Sequence, residues 1–95
     1  MFEPNEVLQV LSGRGAVSAE GIDPVKVRYK LVIERRDGIV RAHGSLTGRH
    51  SALHPLWLTP DATLHLKDAR RLAVSLTDLV GDTAEFESTE PVAPG

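Results

Sequence analysis

The dipeptide Asp37-Gly38 constrains this chain more than any other feature of its sequence. It stands between two segments in which apolar and polar residues alternate. Asp-Gly in that setting is the strongest short-range hairpin signal, because a type I′ turn requires positive φ at both central residues. Before it, Val25, Val27, Tyr29, Leu31 and Ile33 fall on one side, with Lys26, Arg28, Lys30 and Glu34 on the other. That is the period of a half-buried strand. A two-residue loop then fixes the register: Ile33 faces Ala42, Leu31 faces Gly44 and Tyr29 faces Leu46, while on the opposite face Glu34 meets Arg41 and Val32 meets His43. One register explains both faces, large residues against small on one and opposite charges on the other.

A second hairpin follows. Leu64 and Leu66 alternate with Thr63, His65 and Lys67, and Leu72, Val74 and Leu76 with Ala73, Ser75 and Thr77. A three-residue loop Asp68-Ala69-Arg70 pairs Leu66 with Leu72 and Leu64 with Val74, although it offers no glycine for a left-handed position. Gly81-Asp82 reads as a further turn, with Ala84 and Phe86 alternating in a last short strand. Near the start, Gly13-Arg14-Gly15 reads as a break and Ala16–Ala19 as a strand. Residues 5–12 fit two descriptions. Val7, Leu8, Val10 and Leu11 have helical spacing between an Asn5 N-cap and a Gly13 stop, and a strand fits as well.

These elements predict a mainly β chain: a small antiparallel barrel or a two-sheet sandwich of about six short strands, with one short N-terminal helix if residues 5–12 take that form. With 95 residues there is material for one core. The expected domain spans 1–87, followed by a disordered C-terminal tail over 88–95, where Pro91 and Pro94 stand among polar residues.

Cysteine is absent, which removes disulfides, a thiol nucleophile and thiolate metal sites from the candidates. The first residues, Met1 to Glu6, carry no basic group ahead of an apolar run, and no run of about 18 apolar residues follows. The expectation is a cytoplasmic protein without membrane contact. Net charge is −2, but its distribution is uneven. Between residues 25 and 50, Lys26, Arg28, Lys30, Arg35, Arg36, Arg41 and Arg49 face only Glu34 and Asp37.

Three features carry candidate chemistry. Lys26, Arg28, Lys30 and Arg41 project from one face of the first hairpin, the arrangement by which small barrels track a phosphate backbone, although no exposed aromatic interleaves them. The segment Leu56-Trp57-Leu58 holds the only tryptophan in a connection between hairpins. It suits either a partner surface or the closing of a small core. His50 and His54 stand four apart, as two ligands on one helical turn would, with His43 and His65 on strands. Pro55 weakens that helix, and a metal needs a third ligand. No nucleophile-elbow or phosphate-cradling glycine pattern occurs, and the sequence points to no cofactor.

The expectation is therefore a non-catalytic binding or interaction module, acting on a protein partner or by homodimerisation. The alternative is single-stranded nucleic-acid binding through the basic face of the hairpin at residues 25–48. A small histidine-based metal protein is the third reading.

Overall fold

The computed structural model describes residues 6–92. Six strands and one helix follow in order: β1 (Glu6–Ala19), β2 (Ile22–Arg36), β3 (Ile39–Thr47), α1 (His50–Trp57), β4 (Ala62–His65), β5 (Arg71–Val80) and β6 (Thr83–Ser88). They form a closed antiparallel barrel in the order β1-β2-β3-β6-β5-β4. Of the two architectures the sequence allowed, the barrel is the one formed. No helix among the described residues is long and apolar enough to cross a membrane.

The Asp-Gly hairpin has the register its turn dictates. Ile33 pairs with Ala42, Leu31 with Gly44, Tyr29 with Leu46, Glu34 with Arg41 and Val32 with His43. Asp37 and Gly38 both take positive φ, 52° and 78°, as a type I′ turn demands.

The second hairpin differs from expectation by two residues. Leu64, not Leu66, pairs with Leu72, and Ala62 pairs with Val74. The loop is Lys67-Asp68-Ala69, closed by the Leu66 N–H on the Arg70 carbonyl at 2.9 Å. Ala69 takes the left-handed position itself (φ 72°). The Asp68 carboxylate holds the turn, accepting hydrogen bonds from the Arg70 backbone N–H at 3.0 Å and Nε at 2.9 Å. A shift of two keeps every leucine on its face, so the inward set is unchanged.

Residues 6–12 are strand, which corrects the helical alternative; Asn5 lies outside the described residues. β1 runs unbroken through Gly13-Arg14-Gly15, pairing Gly13 with Tyr29, Arg14 with Arg28 and Gly15 with Val27. The glycines are there for space. A Cβ on Gly15 would collide with the His65 carbonyl oxygen, where β4 crosses to close the ring. Gly44 is equally confined, against the Lys30 carbonyl of its neighbouring strand. β1 and β2 are consequently long, 14 and 15 residues, rather than the short strands expected. β1 meets β4 only at Ala16–Ser18. Nearer its start it pairs with β2 alone, and a bulge at Leu8 interrupts that pairing.

The helix of this barrel lies after β3. Leu53 and Leu56 are fully buried from α1 into the core formed with Val17, Tyr29, Leu31, Leu46, Leu64 and Val74. Pro55 sits inside α1. The two buried leucines offset the lost backbone bond in a helix of two turns.

The packed chain extends past 87. Ser88 belongs to β6 and is buried, its hydroxyl accepting the Ala42 N–H at 3.0 Å. Val92 is also buried, and its N–H donates to the Val40 carbonyl at 2.8 Å. These bonds satisfy part of the edge of β3 beyond its pairing with β6.

Candidate functional site

The long β1–β2 pair decides what the outer surface can do. Inward positions alternate Leu11, Gly13, Gly15 and Val17, so Ser12, Arg14 and Ala16 face outward. Their partners across the ladder are Lys30, Arg28 and Lys26. Arg14 thus stands directly opposite Arg28, with Lys26 one pair along. Like charges set opposite each other on a sheet cost stability. Among the described residues, Arg14, Lys26, Arg28 and Lys30 belong to no ion pair.

Together with Ala16 and Thr47, Arg14, Lys26 and Arg28 line a shallow concavity of about 690 Å³. Gly15 and Val27 complete the lining, and Arg14, Lys26 and Arg28 are exposed. The lining holds cations and one hydroxyl but no carboxylate or imidazole. Such a set suits holding an anion rather than general acid–base work.

The four basic residues singled out from the sequence do not form one cluster. Lys26 and Arg28 lie in this concavity. Lys30 lines a neighbouring depression of about 490 Å³ with Val32, His43, Glu85 and Glu87. Arg41 lies further on, in a smaller hollow with Glu34, His43 and Glu87, where the His43 Nε2 is 3.4 Å from a Glu34 oxygen. Cations without a carboxylate among them are therefore confined to the Arg14–Arg28 part of β1–β2, whereas Glu34 of β2 and Glu85 and Glu87 of β6 stand among the basic groups further along. Arg14 is the member that sequence reasoning missed. Alternation carried back through Ser12, Arg14 and Ala16 is the signal that finds it, once the two glycines are taken as packing positions.

The segment at the end of α1 is divided. Leu56 is core, whereas Trp57 is 40% exposed and Leu58 66%. Of the four histidines, His50 and His54 are neighbours on α1, while His43 and His65 lie on β3 and β4. His65 meets the Ser18 hydroxyl at 2.9 Å. The His50 Nδ1 lies 2.6 Å from the Gly81 carbonyl, which can only accept, so this nitrogen carries the proton. His54 lies between His50 and Trp57, with ring centroids 6.1 and 5.9 Å away. Among the described residues, no three histidine or carboxylate side chains come together as a metal-holding group.

The Arg70 backbone N–H, then its guanidinium, hold the Asp68 carboxyl below its ordinary value of 3.8. This is a feature of the turn and lies apart from the basic concavity. Comparison of the chain with protein-family models, curated proteins and solved structures finds no match.

Proposed function

We propose that this barrel is a non-catalytic binding module whose outer β1–β2 face takes an extended phosphate-bearing chain, as a single-stranded nucleic acid presents. The observation that carries the reading is Arg14 set opposite Arg28, with Lys26 beside them, around a concavity without an acidic group. A phosphate between two guanidinium groups converts their repulsion into charge-assisted hydrogen bonding, often bidentate. Lys26 adds a point charge, and Thr47 adds a hydroxyl donor. Lys30 continues the row along β2, while Arg41, beside Glu34, lies outside it.

The test is fluorescence anisotropy of a labelled single-stranded oligonucleotide between 50 and 200 mM salt. For about four neutralised phosphates, the slope of log affinity against log salt should be about −3. The Arg14→Glu/Arg28→Glu variant should lose at least about tenfold in affinity at low salt, by replacing two attractions with repulsions. Equal binding by this variant and the parent chain, or affinity indifferent to salt, overturns the reading.

A second reading is favoured by the neighbouring exposed side chains Trp57 and Leu58: a protein interface, with a second copy of the chain as its simplest occupant. Light scattering decides it in the same samples. A concentration-dependent dimer that Leu58→Ser abolishes supports it, and a strict monomer removes self-association.

A further inference from the structure

We infer that a nucleic-acid strand held on the basic face is engaged near α1 by stacking of its bases on the ring row His50–His54–Trp57. This inference rests on the reading of that face given above. The sequence offers no aromatic residue among the cations of β2, since Tyr29 points into the core. The fold supplies rings from elsewhere. Positions 50, 54 and 57 fall on one side of α1, about a quarter-turn around the helix from the side that buries Leu53 and Leu56. All three residues are exposed.

The rings are 6.1 and 5.9 Å apart, inclined at 35° and 61°. They are not closed against one another in a parallel stack, and each of the three residues keeps solvent-exposed surface. His50 is held by its bond to the Gly81 carbonyl, so less side-chain freedom is lost when a base settles on it.

The row begins where the basic stripe ends. Thr47 lines the concavity and Gly48 follows it, close enough that a Cβ there would sit 3.4 Å from the Lys26 carbonyl. Exposed Arg49 comes next and leads into His50. The nearby acid, Asp82, accepts the His50 backbone N–H through Oδ1 at 3.2 Å, which offsets part of its repulsion toward a phosphate. Cations followed by rings match a strand that presents charge on its backbone and unpaired π faces on its bases. A duplex keeps those faces inside its own stack, and an acidic peptide or polyphosphate has none.

Trp57 is the only tryptophan of the chain, so its emission reports directly on the row. The experiment compares decathymidylate with an abasic strand of the same length and backbone, using the intact protein at low salt. Decathymidylate should quench Trp57 and bind about tenfold tighter or more, as expected for at least one stacked base. His54→Ala keeps the reporter and should narrow that difference while leaving the abasic affinity unchanged. Equal affinities without quenching overturn the stacking inference and leave the basic-face reading standing. Failure of both strands to bind overturns the basic-face reading and the stacking inference with it.

Discussion

Around α1 the barrel is closed, and Val17, Leu53, Leu56, Leu64 and Val74 are wholly shielded from water. Nearer the start of β1, Val7 and Val10 stand 57% and 60% exposed on a strand whose ladder partner among the described residues is there β2 alone. Both regions have alternating sequences and laddered backbones. What separates them is ring closure: where β4 reaches β1 the strand is laddered on both sides, and before that point β1 is the edge of a ribbon whose inward Leu8 and Leu11 pack on the core while Val7 and Val10 stay exposed. Stability is concentrated in the first region, and the second supplies surface. The basic concavity lies at the transition, rooted in the closed barrel at Val27 and open at Arg14.

The sharpest way to break this division is at the seam. Gly15→Val places a side chain where the His65 carbonyl lies, so β4 cannot seat. The expected outcome is loss of the cooperative unfolding transition by circular dichroism. A folded Gly15→Val protein with unchanged amide shifts would show that closure there is dispensable.

A second measurement compares the regions directly. Leu53→Ala, fully buried under the barrel, should cost about 2–5 kcal/mol in denaturant unfolding, whereas Val10→Ala on the ribbon should stay within about 0.5 kcal/mol. Comparable losses would mean that the ribbon is packed as tightly as the core.

The smallest effect concerns the turn that spans the two regions, since Arg70 also reaches the Gln9 side chain at 3.4 Å. Asp68 holds its proton less tightly when folded than when unfolded. Its contribution is therefore present above the unfolded value and is lost as pH falls through the folded one. A carboxyl titration by NMR should give a midpoint below 3.8, and Asp68→Asn should flatten that part of the acid limb.

Legibility in the sequence followed how local the determining chemistry was. The first hairpin could be read to the residue because Asp37-Gly38 admits one turn geometry and both faces agree with it. The second could be read only as a face. Its register depends on Ala69 accepting a left-handed conformation under the hold of Asp68, which nothing in alanine advertises. Gly13 and Gly15 read as a break because a glycine that avoids a distant carbonyl is locally indistinguishable from one that makes a turn. That misreading hid Arg14. The helix at 50–57 was obscured by Pro55, and its stability comes from Leu53 and Leu56 meeting a barrel built from both sides of the chain. Lys26 and Arg28 were legible as site candidates. Their separation from Arg41 was not, because it depends on where β6 brings Glu85 and Glu87.

Ring closure also sets a timetable. β1 acquires its second neighbour only when β4 arrives, and Ser18 and His65, which meet at that seam, lie 47 positions apart. β3 waits as long, since the Ala42 amide finds the Ser88 hydroxyl 46 positions on. Contacts so separated make for slow folding, because chain entropy is lost before the contacts repay it. During synthesis, the sheet of β1–β3 leaves the ribosome with Tyr29, Leu31 and Leu46 bare on its concave side, and it stays so until α1 and the last three strands follow. Its outer side, carrying Arg14, Lys26, Arg28 and Lys30, makes such half-built sheets repel one another. The cations that line the concavity of the finished barrel thus also work against association of the half-built sheet.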